Sequence, residues 1–490
     1  MDVLVDTNIL IPVEPTSVDD VEPSTSVVAE LLRLVQETGG RVLVHPDAFA
    51  EVARDRDAKR RDLRRSLLGK YARVESPPGV SDSLASLFGH PGPGTHDETD
   101  ARLLEAVRAG RADVLVTDDA ALRRRAARAG LGDSVLTSSE ALELLRQLYE
   151  PPIVAPPAVA RVTCDDLNVG DPIFDSLRRD YPGFDEWLAK AIRMRRTAWI
   201  VANDDGSYAA LVIIKEDDPR EHGLQGKLLK MCTFKVSETH RGSRYGELLL
   251  KPVLDHANAG GYDAVFVEAK PGNDDLFSFL DAFGFSDTGR LKNGTDPVWA
   301  KTLRVPGDGA AAMDALTFHV SFGPPTIRWR HVPAFIVPIQ PGNHERLFPE
   351  AERQLTLAPA SEPHGNGIRK AYLCKASLRQ LKPGDILYFY RSVSQEVTVI
   401  GVVEDVHVLC EASAIIRAAG KRTLYSYRDI EGMAERGAEV LVIGFRQALV
   451  LEAPVPFAEL LESGVLKGAP QTVTTLSEGA ATWLAQRLQL

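Results

Sequence analysis

Acidic residues recur beside three short apolar segments in the first 150 residues. Asp6 follows the first VLV segment, Glu51 lies just after the second, and Asp100 and Asp119 lie on either side of the third. Carboxylates in these positions are expected at the carboxyl edge of a parallel sheet, where α/β proteins usually build their sites. Clustered carboxylates bind hard cations such as Mg²⁺ or Mn²⁺. Such ions activate a bound water molecule.

Two neighbouring acids, Asp97 and Asp118, extend this set. Asp97 and Asp100 are three residues apart at the start of a predicted helix, so both face the same way. Each acid alone is expected to be a helix cap or a solvated charge. Their repeated placement at strand ends and in first helical turns favours a shared metal site.

The elements that must position these acids alternate between strand and helix, which predicts an α/β sheet domain. The motifs VLVDTNIL, the Glu51 helix, DARLLEAV and VLVTDDAAL resemble, in this order, those of PIN-domain nucleases, including toxins of bacterial toxin–antitoxin pairs. The resemblance implies a three-layer α/β/α domain over residues 1–150, an RNA substrate and an antitoxin-like inhibitor. It also implies catalytic metal ligands at Asp6, Glu51, Asp100 and Asp119, with Asp97 and Asp118 as further ligands.

A basic segment, residues 54–73, follows the Glu51 helix. Arg60, Arg61 and Arg64 are candidates to guide a phosphate backbone toward the metal ions. The interspersed acids equally fit a solvated helix with ion pairs between successive turns. Both interpretations stay open.

A second α/β pattern begins after a Pro-rich linker at residues 151–164. A predicted strand from Leu228 to Val236 runs into a polar loop, and the helix ELLLKPVLDHANA follows it. Such a loop before a helix presents unpaired backbone N–H groups and a positive dipole end, which together hold a pyrophosphate.

This region resembles the GNAT N-acetyltransferases over TFKVSETHRGSRYGELLL, AVFVEA, Asn273 and FSFLDAFGF. The resemblance implies an acetyl-CoA-binding domain at residues 165–305 and an acyl-acceptor substrate. The backbone of Val236 would bind the pantetheine arm, and Asn273 would be a further cofactor contact. The pyrophosphate would bind the amides of Arg241, Gly242, Ser243, Arg244, Tyr245 and Gly246.

Two positions depart from the GNAT pattern. Arg244 occupies a usual glycine position, and Leu280 occupies the position of the tyrosine that often protonates the leaving thiolate. Glu238 and Glu268 are candidate bases by position, and Tyr245 is a further polar candidate. A module that binds CoA but catalyses weakly is the alternative.

The remaining residues, 306–490, carry a KPGD turn, the strand VIGVVEDV and the segment GVLKGAPQTVTTLS. These resemble the PUA-like superfamily, in particular its ASCH and EVE branches. The resemblance implies a β-barrel with flanking helices that binds RNA or a modified base. Tyr388 and Tyr390 are candidates to stack on a base, while aromatic residues at strand spacing are more often core residues.

Composition limits the remaining function classes. The length of 490 residues indicates about three domains, and the net charge of −11 excludes a uniformly basic nucleic-acid coat. The sequence has no apolar run long enough to span a bilayer, so we expect a cytoplasmic protein without a membrane partner. The four cysteines lack CxxC spacing, so neither a zinc site nor a disulfide framework is expected.

Two enzymatic functions follow from these patterns, beside a third interpretation as a scaffold or regulatory protein in which CoA occupancy reports metabolic state to the nuclease. The first is a metal-dependent endoribonuclease joined to an acetyl-CoA-binding module and an RNA-recognition barrel. The alternative is an N-acetyltransferase that acts on RNA, aminoacyl-RNA or protein, with the first domain as an RNA-binding or regulatory module.

Overall fold

A computed structural model describes most of the chain and divides it into two units. The described residues are 1–13, 25–54, 56–149, 159–203, 205–217, 224–240, 242, 244–292, 295–305, 310–352, 367–375 and 378–490. The first unit contains Met1–Ile153 and Val408–Val442, and the second contains Val154–His407 and Ile443–Leu490.

The first unit is built on a parallel five-stranded sheet. Its strands are β1 (Asp2–Val5), β2 (Arg41–Val44), β3 (Ala72–Arg73), β4 (Val114–Val116) and β5 (Val135–Leu136). Its helices are α1 (Thr7–Val13), α2 (Thr25–Glu37), α3 (Pro46–Val52), α4 (Ala58–Leu68), α5 (Asp82–Leu87), α6 (His96–Arg108), α7 (Ala120–Arg128) and α8 (Ser138–Tyr149). The strand order is β3-β2-β1-β4-β5. The three VLV segments are buried because the central strands of a parallel sheet are covered on both faces.

The second unit begins with a seven-stranded mixed sheet. Its strands are β6 (Val159–Thr163), β7 (Thr197–Ala202), β8 (Tyr208–Asp217), β9 (Leu228–Val236), β10 (Ala264–Glu268), β11 (Ser286–Lys292) and β12 (Asp296–Thr302). Its helices are α9 (Asp175–Asp180), α10 (Phe184–Arg193), α11 (Tyr245–Ala259), α12 (Asp274–Ala282) and α13 (Ala315–Phe322). The strand order is β11-β12-β10-β9-β8-β7-β6, and β9 and β10 form its parallel pair.

A six-stranded sheet completes the second unit. The strands of this sheet and the helices between and after them in the chain are β13 (Ala334–Ile339), α14 (Pro341–Leu347), β14 (Arg369–Cys374), β15 (Ile386–Arg391), β16 (Glu396–Leu409), α15 (Ala412–Ala419), α16 (Tyr427–Met433), β17 (Val440–Pro456), α17 (Phe457–Glu462), β18 (Thr474–Thr475) and α18 (Glu478–Arg487). The order β14-β17-β16-β15-β13-β18 leaves the sheet open. The expected barrel is therefore not confirmed, because β14 and β18 do not pair with each other within the described part of the chain.

Helices α15 and α16 lie in the part of the chain that belongs to the first unit. Arg417 Nη1 lies 2.6 Å from Asp113 Oδ1, and the Tyr427 ring stacks on the Tyr149 ring with 5.0 Å between centroids. Among the described helices, none is both long enough and apolar enough to cross a bilayer.

Candidate active site

The pairing between β9 and β10 ends partway along β9, and this end of the pairing is called the strand separation. They pair from Leu228 with Ala264 to Met231 with Val267, whereas β9 continues to Val236 in contact with β8. A bulge on β9 coincides with this separation, because Cys232 has no partner in the β8 register. Bulges of this kind often redirect a strand beside an active site. Within the described residues, β9 from Thr233 to Val236 therefore has a partner strand only on its β8 side, and this unpaired edge is called the opening.

The loop after β9 leads directly to the start of helix α11. Residue Ser237 still belongs to the sheet, since its amide donates to the Ala209 carbonyl at 2.8 Å. Gly242 has a φ of +88°, and the side chain of Arg244, the residue before α11, accepts no hydrogen bond from the first turn of the helix. The amides of this turn have no acceptor within the helix, and the helix dipole makes this end positive. Such an end binds an anion such as a pyrophosphate.

Arg244 directly precedes α11 and points away from the solvent. Its φ of +59° lies in the left-handed region, and its side chain is 2% exposed. The guanidinium lies 2.5 Å from Glu247 Oε2 and also donates to the Arg369 carbonyl at the start of β14. Burial is the largest single influence on the pKa of Glu247 and raises it. The positive charges and hydrogen bonds of Arg244 and Arg369 together outweigh burial, so the pKa of Glu247 is lowered.

Glu268 ends β10 beside the opening. Its Oε2 lies 2.5 Å from Lys230 Nζ, and both side chains are largely buried. Glu238, the other candidate base, is exposed on the loop. Tyr245 is 7% exposed and its ring stacks on His240, with 5.4 Å between centroids. Among the three candidates from the sequence, Glu268 is the carboxylate that lies at the strand separation.

Helix α12 packs close to the start of α11. A Cβ on Gly246 would lie 3.3 Å from the ring of Phe279, so a larger residue there would push on that ring. Leu280 is fully buried in the core of the sheet. Asn273 is exposed, and its Nδ2 donates to the Lys270 carbonyl at 2.9 Å. Two predicted cofactor contacts, Arg241 and Ser243, lie outside the described residues, as do residues 151–158 of the predicted linker.

The acidic residues of the first unit form a second polar site at the carboxyl edge of its sheet. Asp6 follows β1, and its Oδ2 accepts a hydrogen bond from Thr117 Oγ1 at 2.8 Å. Thr7 Oγ1 contacts both Asp6 and Glu51, at 3.3 Å and 3.0 Å. Burial, followed by the charges of Asp6 and Asp119, raises the pKa of Asp100 to about 7. The structure therefore brings Asp6, Glu51, Asp100 and Asp119 to one edge.

Most of these acids already have protein partners. Asp119 Oδ1 caps α7 by accepting the amides of Ala121 and Leu122, at 2.6 Å and 3.1 Å. Asp118 accepts from the amide and hydroxyl of Ser138. Asp97 Oδ1 lies 2.7 Å from Arg125 Nη1, and Asp100 lies 3.6 Å from the same atom.

The donor chemistry of this edge fits a hard divalent cation, but the arrangement does not form a complete site. No group of three or more His, Cys, Asp or Glu side chains among the described residues is placed to hold a metal ion. The prediction of bound Mg²⁺ or Mn²⁺ is therefore not supported. The predicted metal site is incomplete because several of its acids point toward protein groups instead. Asp118 and Asp119 accept hydrogen bonds from helix amides, and Asp97 pairs with Arg125.

The predicted nucleic-acid contacts lie in different environments. Arg60 is exposed on α4, whereas Arg61 and Arg64 are half-buried. Tyr388 and Tyr390 are each 1% exposed and belong to the core of the six-stranded sheet. Rings buried to this extent offer no face to a base. Stacking by these two residues is therefore not possible in this arrangement.

Sequence reasoning missed two groups beside the strand separation and the start of α11. Lys230 was not identified, although a lysine inside the apolar strand LLKMCTF is an unusual residue that signals a buried partner. Glu247 was not identified either, and no local pattern distinguishes it from the many surface glutamates of helices. Its partner Arg369 lies 122 positions away.

Comparisons with known proteins cover parts of the chain. The model of the acetyltransferase (GNAT) family matches residues 164–285. This match lies outside residues 1–150 and gives no support to the nuclease resemblance there. No curated protein matches the sequence.

Solved structures similar to parts of the chain include two acetyltransferases and an ASCH protein. An N-acetyltransferase from Staphylococcus aureus Mu50 is 16% identical, covering 30% of this chain and 98% of that chain, with a TM-score of 0.25. An IAA acetyltransferase from Bacillus cereus is 15% identical, covering 30% and 99%, with a TM-score of 0.24. ASCH from Zymomonas mobilis is 12% identical, covering 31% and 94%, with a TM-score of 0.24. TM-scores this low identify neither the fold nor the activity.

Proposed function

We propose that the second unit is an N-acetyltransferase that transfers an acetyl group from acetyl-CoA to an amine. The observation that carries this proposal is the unpaired edge of β9 beyond its pairing with β10, which leads to the start of α11, where Arg244 provides no side-chain cap. It falls within residues 164–285, which match the GNAT family. The opening accepts the narrow pantetheine arm beside Val236. The amides of Tyr245, Gly246 and Glu247 hold the pyrophosphate at the positive end of α11.

The transfer needs a group that takes a proton from the attacking amine. The amine nitrogen forms a bond with the thioester carbon, the carbon–sulfur bond breaks, and the thiolate of CoA leaves. Glu268 is the proposed base, because its carboxylate lies at the strand separation and Lys230 balances its charge. The acceptor is an amine on an aminoacyl-RNA, an RNA base or a protein.

The test measures release of free CoA thiol from acetyl-CoA with each acceptor class. Glu268→Gln keeps the size of the side chain and removes its basicity, so we expect the turnover number to fall about 10²-fold or more. Glu238→Gln is the matched control, because the same change is made on an exposed loop carboxylate. Release that persists fully in Glu268→Gln would remove the assigned base. A wild-type protein that neither binds acetyl-CoA nor releases CoA would contradict the function itself.

A second candidate function concerns the first unit. We propose that its acidic edge cleaves RNA, because Thr7 Oγ1 joins Asp6 to Glu51 and the half-buried Asp100 lies close enough to Asp6 and Asp119 for their charges to raise its pKa. This second proposal assigns the cleavage to Asp6, Glu51, Asp100 and Asp119 and predicts that it needs added Mg²⁺ or Mn²⁺, although the described arrangement does not by itself complete a metal site.

Cleavage of mixed cellular RNA with and without divalent metal tests this second function. Asp119→Asn retains an oxygen that caps α7, so the variant is expected to fold and to lose cleavage. Asp82→Asn, in the first turn of α5, is the control on another helix start of the same unit. Metal-independent cleavage, or equal cleavage by wild type and Asp119→Asn, would rule out the assignment.

A further inference from the structure

Arg244 occupies a backbone conformation that favours glycine. Its φ of +59° lies in the left-handed region, which is less favourable for an ordinary side chain than for glycine. A glycine at this position would therefore fit the loop better as far as the backbone alone is concerned. The side chain must make contacts that offset this cost.

Those contacts connect the start of α11, where the pyrophosphate is proposed to bind, to strand β14. The Arg244 guanidinium donates to the Arg369 carbonyl, and the Arg369 amide donates to Glu247 Oε2 at 3.2 Å. Glu247 Oε2 also accepts from Arg244, so one carboxylate oxygen joins both partners. Because Glu247 lies in the first turn of α11, this network fixes the start of the helix against the start of β14.

The segment before β14 closely fits the guanidinium. A Cβ on Gly367 would lie 2.5 Å from Arg244 Nη2 and 2.8 Å from Glu247 Oε2. Any larger residue at this position must displace one of these groups. The fit therefore depends on small size at Gly367 as well as on the length and charge of Arg244.

We propose that Arg244 is a positioning residue. It makes the geometry of the start of α11, where the pyrophosphate is proposed to bind, depend on contact with β14, so that tight binding of acetyl-CoA requires the six-stranded sheet. This inference rests on the proposed acetyltransferase function. The guanidinium does not touch the cofactor in this role. It holds the backbone at the start of α11 in the geometry that presents the amides of Tyr245, Gly246 and Glu247.

The experiment perturbs this contact from both of its sides. Arg244→Gly removes the guanidinium and leaves a backbone that suits glycine, whereas Gly367→Ala displaces the guanidinium from a position outside the loop. Calorimetry then measures the affinity of the full chain for CoA and for pantetheine, which lacks the pyrophosphate. We expect both variants to bind CoA about tenfold more weakly, since a loop that must be ordered on binding costs affinity. Pantetheine binding is expected to be unchanged.

Two further variants separate positioning from general destabilisation. Lys251→Ala removes another buried contact of α11, the pair with Glu350, and is expected to leave CoA affinity at the wild-type level. Arg244→Lys retains a positive charge and is expected to recover part of the lost affinity. Tryptophan fluorescence during urea unfolding verifies that each variant is folded.

The outcomes distinguish this inference from the function on which it rests. Wild-type CoA affinity in both Arg244→Gly and Gly367→Ala would overturn the positioning role while leaving the acetyltransferase proposal intact. An equal loss for CoA and pantetheine would also overturn it, because the effect would not concern the pyrophosphate. Failure of the wild-type protein to bind CoA would overturn both.

Discussion

Lys301 provides a sharp test of how the second unit tolerates a buried amine. Its side chain is fully buried on β12, and its Nζ donates to the carbonyls of Val320 and Ser321 at 2.6 Å and 3.0 Å. Burial, with a smaller effect from Arg446, lowers the pKa of Lys301 to about 7. The carbonyls at the end of α13 act in the opposite direction, because they favour the charged form.

The lowered pKa predicts how stability depends on pH. Between pH 7 and about 10.5, the unfolded chain holds a proton on Lys301 that the folded protein lacks. The free energy of unfolding therefore rises with pH, by about 1.4 kcal/mol per pH unit from this group. Below pH 7 both states carry the proton, so this contribution to the slope disappears. Lys301→Met removes the titrating group and should remove this slope.

Urea unfolding at pH 7.5, 8.5 and 9.5 measures the effect. All five tryptophans lie in the second unit, so their fluorescence reports the unfolding of that unit. The free energy of unfolding of wild type, taken relative to that of Lys301→Met, is expected to rise by about 1.4 kcal/mol per pH unit. Lys190→Met, at an exposed position of α10, should show no such trend. If the difference in free energy of unfolding between wild type and Lys301→Met is the same at all three pH values, the folded protein holds Lys301 in its charged form. The prediction of a neutral amine would then be wrong, and the α13 carbonyls would be the groups that keep it charged.

Two further predictions concern packing in each unit. Lys421→Met leaves the Glu140 carboxylate without its buried cation and is expected to destabilise the first unit by about 2 kcal/mol, measured by circular dichroism during urea unfolding. Recovery should follow when Glu140→Gln is added, and a wild-type midpoint in the single variant would contradict the prediction. Gly284→Ala places a Cβ 1.9 Å from the Val320 carbonyl and is expected to cost more than about 3 kcal/mol by tryptophan fluorescence. Gly289 has a similar positive φ, but no atom lies within 4 Å of a Cβ added there. An equal loss of stability in Gly289→Ala would therefore show that backbone strain, and not the clash with Val320, destabilises Gly284→Ala.

The sequence predicted the elements that depend on local pattern. The VLV segments form neighbouring strands, and the acids after them lie at one edge, because parallel strands ending together bring their following residues together. The strand, loop and helix from Leu228 to Ala259 were also predicted, since alternation and helical spacing are both local signals. The charge balance of these sites was not predicted, because Glu247 and Arg369 are far apart in sequence.

Other features depend on contacts that no local pattern records. Tyr388 and Tyr390 alternate along β15 and so share a face, but alternation alone does not say which face is buried. The side of β15 that carries both rings packs in the core. Residues 408–442 belong with the first unit through pairs such as Arg417 with Asp113, which are 304 positions apart. Separations of this size leave no trace in composition or spacing.

The buried Leu280 limits which groups can protonate the leaving thiolate in the proposed transfer. A fully buried leucine cannot protonate a leaving thiolate, so the proton must come from another group or from water. Glu268 takes one proton from the amine in the proposed reaction, and Lys230 lies within 2.5 Å of it. If this pair passes the proton on, Lys230→Met should lower turnover as strongly as Glu268→Gln and leave CoA affinity unchanged. A turnover number that falls only in Glu268→Gln would limit Lys230 to balancing charge, and solvent water would then protonate the thiolate.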